Sequence, residues 1–163
     1  MSAKNASSSA TAAHSTQHAT FVIDRAFAAT PSQVFAAWSS AQAKSRWFAA
    51  PSNEWNQLDR ELDFRVGGRE RLRGCWASGV VTDFQATYND IVADQRIVYT
   101  YSMHLDERKI SVSLATVEFK PANPGTRVIV TEQGAFLDGY DDSGARERGT
   151  RALLEQLAAS LGG

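Results

Sequence analysis

The sequence is poor in the residues that build disulfide frameworks and metal clusters. Cys75 is the only cysteine among 163 residues. An intramolecular disulfide and a cysteine-based metal site are therefore excluded, and a reducing compartment, the cytoplasm, is expected. No charge of one sign predominates, because 17 lysines and arginines face 18 aspartates and glutamates and the formal net charge is −1. This balance does not favour nucleic acid or a membrane surface as a partner.

Long apolar runs and cofactor motifs are also missing. No segment approaches the roughly 18 consecutive apolar residues of a membrane helix, and Gly67-Gly68 lacks the surrounding pattern of a nucleotide-binding loop. His104 lies in a charged turn segment, and Cys75 has no histidine near it in sequence. The sequence therefore predicts no cofactor, no metal site and no catalytic constellation.

The amino-terminal segment differs in composition from the rest. Residues 1–19 are mostly serine, alanine and threonine and contain no aromatic residue, so they have little apolar surface to offset the entropy lost on ordering. They are predicted to form a disordered leader. Residues 20–161 are predicted to form one domain, because this length is typical of a single folded unit.

The folded part is predicted to begin with a strand at 21–27 and two short helices. Thr30, Pro31 and Gln33 match a capping box with proline at the first helical position, and Ser39 or Ser40 is expected to cap the second helix. From residue 58 to 133 apolar and polar residues alternate, which predicts a six-strand antiparallel meander. Its turns are placed at Gly67-Gly68, as a two-residue hairpin, at Asn89-Asp90, at 105–109 and at 121–125.

A long amphipathic helix is predicted to end the chain. Its apolar face is formed by Leu153, Leu154, Leu157 and Leu161. Its solvent side is assigned Arg146, Arg148, Arg151 and Glu155. Gly149 costs a helix about 1 kcal/mol relative to alanine, so it either permits a close backbone approach or is merely tolerated. The order of elements predicts an α+β fold, in which a curved antiparallel sheet of about six or seven strands wraps round this helix.

Six short motifs occur in the order and spacing of a known family. They are Asp63–Arg69 (DFRVGGR), Gly79–Val81, Val98–Tyr101 (VYTY), Val117–Phe119, Gly125–Arg127 and Thr131–Phe136 (TEQGAF). From about residue 20 to 161 the chain resembles the SRPBCC superfamily, in particular the group named after the activator of Hsp90 ATPase homologue 1 (AHSA1-like). The resemblance implies a helix-grip (Bet v 1-like, START-like) fold with an apolar cavity between sheet and helix. It does not fix the activity, because one fold hosts many functions.

The sequence departs from this group at two points. Many members carry Gly-Trp near the start of the last helix, whereas Gly149 is followed here by Thr150, which predicts a wider or more polar cavity mouth. The amino-terminal domain of the eukaryotic co-chaperone is not matched, so Hsp90 is not expected as a partner.

Aromatic and polar residues on the predicted strands suit such a cavity. Tyr99 and Tyr101 alternate on one strand and point the same way, as a mostly apolar pocket with a few orienting groups requires. Arg71 and its neighbours on the same strand face either form ion pairs on a solvated outer surface or turn inward to meet a ligand carboxylate or phosphate. The predicted cavity residues are Trp38, Trp47, Phe64, Arg71, Trp76, Tyr99, Tyr101, Glu132, Phe136, Thr150 and Leu154.

Three functions remain open at this point. The leading hypothesis is a small soluble protein that binds an apolar or aromatic small molecule in the cavity, without metal or cofactor. The second is an enzyme of the cyclase, aromatase or hydrolase type, which the lack of a catalytic constellation disfavours. The third is a chaperone-type interaction module. A homodimer is compatible with the sequence, and neither nucleic acid nor a membrane is an expected partner.

Overall fold

The chain folds into an antiparallel sheet with helices on one face. The computed structural model describes residues 13–162, and within them the elements follow the predicted order. Their bounds are β1 (Thr16–Phe27), α1 (Pro31–Ser39), α2 (Ala41–Ser45), β2 (Trp55–Leu62), β3 (Arg69–Trp76), β4 (Val81–Val92), β5 (Arg96–Leu105), β6 (Arg108–Pro121), β7 (Thr126–Leu137) and α3 (Ser143–Ser160).

The seven strands described form one curved sheet in the order β1-β7-β6-β5-β4-β3-β2. Strands β2 to β7 pair with their sequence neighbours, which confirms the predicted meander. Strand β1 lies beside β7, so the first strand joins the sheet next to the last one. With α3 packed against this sheet, the predicted α+β helix-grip architecture is confirmed.

Local side chains explain where the helices begin. Thr30 caps α1 by accepting a hydrogen bond from the Gln33 amide, and the Gln33 side chain accepts one from the Thr30 amide. Ser40 caps α2 and Asp142 caps α3, each by accepting from the amide three residues further on. These bonds satisfy amides that the first helical turn leaves free. The predicted capping box is therefore confirmed, and Ser40 is the cap of the second helix.

Strand β1 begins at Thr16, four residues before the predicted start of the domain. Residues 16–19 pair with residues 134–137 of β7, and the Ser15 amide donates to Asp138 at 2.9 Å. The prediction of a disordered leader up to Ala19 is wrong from Thr16 onward, because backbone hydrogen bonds order a stretch that has almost no apolar surface. Residues 1–12 of that predicted leader lie outside the described residues.

The link between β2 and β3 is longer than predicted. Strand β2 ends at Leu62, and residues 63–68 form a loop instead of a two-residue hairpin. Gly67 has a φ of 81°, and a Cβ on Gly68 would lie 2.0 Å from the Asp63 carbonyl oxygen. The two glycines are therefore required by the compact loop, which folds onto β4 through a 2.8 Å bond from the Gly67 amide to the Tyr88 carbonyl.

The turn predicted at Asn89-Asp90 is also wrong. Strand β4 continues to Val92, and the register shift between Tyr88 and Asp90 makes Asn89 the extra residue of a β-bulge. The chain reverses after Val92, where Asp94 adopts a left-handed φ of 61°. Asparagine and aspartate favour both bulges and turns, so their presence at 89–90 did not separate the two.

The core lies between the helices and the inner face of the sheet. Phe35 and Trp38 of α1 meet Phe119 of β6 edge to face, with ring centroids 5.4 and 5.3 Å apart. Leu154 and Leu157, predicted for the apolar face of α3, are 2% and 0% exposed. This packing confirms the register assigned to the last helix.

A buried ion pair ties α2 to the sheet. Lys44 Nζ lies 2.6 Å from Glu70 Oε1, and both side chains are 3% exposed. The Tyr88 hydroxyl donates to the same carboxylate oxygen. Burial lowers the pKa of Lys44, and the attraction of Glu70 opposes this effect. The Lys44 ammonium also lies 4.5 Å from the ring centroid of Phe48, so the pair fixes the segment that follows α2.

Candidate ligand-binding cavity

A cavity of about 320 Å³ lies between the inner face of the sheet and α3. Its lining comes from the end of α1, the segment 47–51, strands β2 to β7 and the first turns of α3. The lining residues Pro51 and Gly149 are exposed. The cavity therefore opens between α3 and the segment that precedes β2.

Packed aromatic rings form much of the wall. The rings of Trp47 and Phe48 are 5.6 Å apart, those of Phe48 and Phe84 5.1 Å, and those of Phe84 and Tyr101 5.0 Å. The Trp47 indole donates its N–H to the Ala37 carbonyl at 3.0 Å. Since this polar atom is already bonded, the ring offers carbon surface to the interior.

A polar cluster at one end of the cavity contrasts with this wall. The Tyr101 hydroxyl donates to Glu132 Oε1 and accepts a hydrogen bond from Arg146 Nη1 at 3.0 Å. The Thr150 hydroxyl lies 3.1 Å from Glu132 Oε2 and 3.0 Å from the Arg146 carbonyl oxygen. We call these four residues the polar cluster. Strands β5 and β7 supply its tyrosine and glutamate, and α3 supplies its arginine and threonine.

Two further bonds orient the arginine of the polar cluster. Arg146 Nη2 donates to Ser111 Oγ at 2.8 Å and to Asp141 Oδ2 at 2.9 Å. The side chain is only 11% exposed, so its charge is desolvated and depends on these partners. Its guanidinium also lies over the Phe136 ring, 5.4 Å from the centroid.

Burial sets the protonation of the polar cluster. It raises the pKa of Glu132, while the hydrogen bond from Tyr101, the charge of Arg146 and the hydrogen bond from Thr150 oppose the rise. Burial is also the largest cause that raises the pKa of Tyr101, so this hydroxyl keeps its proton at neutral pH. The cluster thus presents a carboxyl group and a cation to an apolar space, an arrangement that can orient one polar group of a bound molecule.

Eight of the predicted cavity residues line this space. They are Trp38, Trp47, Trp76, Tyr99, Tyr101, Glu132, Thr150 and Leu154. Thr150 contributes a hydroxyl at the position where many relatives are expected to carry a tryptophan. A Cβ on Gly149 would meet no atom within 4 Å, so this glycine does not permit a close backbone approach.

Two predicted aromatic residues pack elsewhere. Phe64 lies in the 63–68 loop, with its ring 5.7 Å from that of Phe35 and 5.0 Å from that of Tyr88. Phe136 lies further along β7 and packs against Arg146. Neither residue lines the cavity, so the prediction is wrong for both.

Arg71 lies on the outer face of the sheet. Its neighbours Glu70 and Leu72 are buried, so the alternation of β3 turns Arg71 outward. There it makes a two-pronged contact with Asp83, with distances of 3.1 and 2.8 Å, and this hydrogen bonding lowers the pKa of Asp83. Arg73 pairs with Asp59, with both Nε and Nη2 bonded to the single oxygen Oδ2. The alternative of an inward-facing arginine is therefore wrong for this strand, and the outer-face ion pairs are confirmed.

The family of the chain follows from its sequence as a whole. A family model described as activator of Hsp90 ATPase homolog 1-like protein matches residues 28–162. The chain belongs to the AHSA1-like family. The resemblance carried by the six motifs is thereby confirmed, and the comparison with curated proteins found no match.

Solved structures share the fold of this AHSA1-like chain. An uncharacterised protein from Rhizobium leguminosarum is 46% identical over 91% of this chain and 97% of its own, with a TM-score of 0.86. A protein from Rhizobium loti is 42% identical over 90% and 99% of the two chains, with a TM-score of 0.83. The AHSA1 protein of Silicibacter pomeroyi is 23% identical over 88% and 98%, with a TM-score of 0.72, which shows the common fold alone.

Sequence reasoning missed the arginine of this AHSA1-like cavity. Arg146 was assigned to the solvent side of α3, and this is wrong because Tyr101, Ser111 and Asp141 hold the side chain inward. A signal was present, since Arg146, Thr150 and Leu154 follow one another at four-residue spacing and share a helix face. Arg146 was nevertheless assigned to the solvent side of α3, because arginine side chains are usually exposed.

The described part of this AHSA1-like chain contains neither a metal-binding cluster nor a membrane-spanning helix. Across residues 13–162, no group of three or more histidine, cysteine, aspartate or glutamate side chains is placed to hold a metal ion. None of the helices within that range combines the length and the hydropathy needed to cross a bilayer.

Proposed function

We propose that this AHSA1-like protein binds an apolar or aromatic small molecule in the cavity between the sheet and α3. The observation that carries the proposal is an open cavity of about 320 Å³ with an aromatic wall and one polar end. Small-molecule sites occupy about 300 Å³ or more and combine apolar walls with a few placed polar groups. We also propose the cytoplasm as its location, because its one cysteine is free.

The energy of an empty cavity supports this proposal. Vacant volume in a closed core costs roughly 24 cal/mol per Å³ in core-truncation series, and this figure is an upper bound here because the cavity opens beside Pro51 and Gly149. The whole stability of a domain is about 5–15 kcal/mol. A ligand that fills the space relieves part of that cost and stabilises only the folded state, so binding should raise the melting temperature.

A cavity-filling substitution tests the proposal. In Thr150→Trp a large ring enters the cavity, whereas Thr100→Trp places the same ring on the exposed outer face of β5. Titration with an apolar fluorophore should give a micromolar dissociation constant for the parent and for Thr100→Trp, and binding at least about tenfold weaker for Thr150→Trp. Equal affinities for the two folded variants would place the bound fluorophore outside the cavity and contradict the proposal.

A second candidate, acid–base chemistry on the bound molecule, is favoured by one observation. Glu132 is buried, has a raised pKa and accepts a hydrogen bond from the Tyr101 hydroxyl. Burial and hydrogen bonds of this kind set the pKa of catalytic carboxyl groups. Native mass spectrometry of the purified protein identifies any compound retained from the cell. Conversion of that compound on incubation, followed by mass and NMR spectra and abolished in Glu132→Gln, would support an enzyme, and unchanged mass and NMR spectra would support binding alone.

A further inference from the structure

The polar cluster keeps hydrogen-bonding capacity that its own contacts do not use. Glu132 accepts one bond from Tyr101 at Oε1 and one from Thr150 at Oε2, whereas a carboxylate has about four acceptor sites. The Thr150 hydroxyl is also within 3.0 Å of the Arg146 carbonyl oxygen. It can donate there instead and release Oε2 to another donor.

The arginine offers donors beside this acceptor. Of the five guanidinium N–H groups, Nη1 uses one for Tyr101 and Nη2 uses two for Ser111 and Asp141. Among residues 13–162, no side chain or carbonyl accepts from Nε or from the second hydrogen of Nη1 within hydrogen-bond distance. Arg146 and Glu132 both line the cavity and both bond the Tyr101 hydroxyl, so their unused donors and acceptors belong to the same end of the cavity.

The charges around this position disfavour a charged ligand group. Arg146 is already paired with Asp141 at 2.9 Å, and Glu132 of the polar cluster is a second acid close to it. A ligand carboxylate would be a third acid near Arg146, after Asp141 and Glu132. Both hydrogens of Arg146 Nη2, which a bidentate contact with that carboxylate would need, already bond Ser111 and Asp141. A ligand cation would lie next to the guanidinium in a desolvated space, where like charges repel strongly.

We propose that the ligand carries a neutral hydroxyl group, as in a phenol or an alcohol, which donates to Glu132 Oε2 and accepts from the guanidinium of Arg146. The apolar body of this ligand lies against the aromatic wall. This inference rests on the proposed function and specifies the ligand class of the same cavity. Thr150 responds to the ligand by turning its hydroxyl to the Arg146 carbonyl.

Four probes with one ring system test the inference. Naphthalene, 2-naphthol, 2-naphthoate and 2-naphthylmethylammonium share the apolar body and differ in the polar group. Calorimetric titration near neutral pH should give the tightest binding for 2-naphthol, several-fold tighter than naphthalene and about tenfold tighter than either ion. In Glu132→Gln the advantage of 2-naphthol over naphthalene should shrink to about twofold, because a charge-assisted bond becomes a neutral one. Glu118→Gln, an outer-face glutamate beside Lys120, is the matched control and should keep the parent's order of affinities.

The outcomes separate this inference from the proposed function. Equal binding of naphthalene and 2-naphthol shows an occupied cavity without a hydroxyl site, and overturns the inference alone. Tightest binding of 2-naphthoate or of the ammonium probe overturns it in favour of a charged ligand. No binding of any probe overturns the proposed function itself. Should Glu132→Gln fail to fold, the order of the four affinities in the parent still decides the matter.

Discussion

Gly149 provides a direct test of the space beside α3. A Cβ added at this position would meet no atom within 4 Å, and the residue lies in the interior of an 18-residue helix. Glycine in a helix interior is about 0.8–1.0 kcal/mol less favourable than alanine. Gly149→Ala should therefore raise the free energy of unfolding by about that amount, with no opposing steric term. For a domain of this size the melting temperature should rise by roughly 2–4 °C.

A second glycine supplies the control with the opposite sign. Gly74 lies in β3, where a Cβ would come within 2.0 Å of Cε2 and Cζ2 of Trp55. The same chemical change here forces the indole, whose N–H bonds Thr82 at 3.0 Å, out of its place. Gly74→Ala should lower the free energy of unfolding by about 1–3 kcal/mol, the usual cost of overpacking.

Urea denaturation of the parent and the two variants measures both effects. The midpoint should move up for Gly149→Ala and down for Gly74→Ala, with unchanged slopes if the unfolded states expose equal surface. A loss of stability in Gly149→Ala would show that the helix meets another part of the chain at this point. The open lining of the cavity beside α3 would then be wrong.

Three other outcomes follow from the core and the buried charges. Leu154→Ala should lower the free energy of unfolding by about 2–5 kcal/mol, and an unchanged thermal melt would contradict the inward register of α3. Lys44→Met should lower the free energy of unfolding by about 3–5 kcal/mol because it leaves Glu70 buried without its partner. The double variant with Glu70→Leu should recover stability. A small effect of Lys44→Met on the free energy of unfolding would show that water reaches the Glu70 carboxyl group. Burial raises the folded-state pKa of Glu132 above its ordinary 4.5, so its stabilising contribution is present below that pH and is lost as the pH rises through the folded value. In urea titrations Glu132→Gln should consequently lose less stability than the parent as the pH rises above 4.5, and parallel losses would contradict a buried carboxyl group.

Local signals in the sequence were sufficient for most of the architecture. The Thr30 capping box, the Ser40 cap and the period-two alternation each depend on neighbouring residues, so they could be predicted without tertiary information. The failures occurred where distant segments decide. Residues 16–19 are ordered by β7, more than a hundred positions away, and Gly68 is required by the carbonyl of Asp63 within a folded loop.

The cavity residues, too, could be predicted from the sequence only where a local pattern decides their position. Tyr99 and Tyr101 could be placed in the cavity together because strand alternation makes them face the same side of the sheet. Aromatic character alone does not say how far along a strand the cavity extends, so Phe136 was included although it does not line the cavity. Arg146 needed knowledge of its partners on β6 and in the loop before α3. The cavity volume depends on the distance between α3 and the sheet, which no local pattern contains.

The pairing of β1 with β7 has a consequence for how the protein is made. Phe27 lies opposite Thr126 and Thr16 opposite Leu137, so about a hundred residues must leave the ribosome before the first strand finds its neighbour. The hairpins from β2 to β7 join segments that are adjacent in sequence, so they can form as they leave the ribosome. Strand β1 can pair only after β7 has been made, and this long-range pairing raises the contact order of the fold. Arg146 and Thr150 come later still, in the final helix. A nascent chain therefore completes its polar cluster only after α3 has been made, and a fragment that stops at β7 lacks two of the four residues.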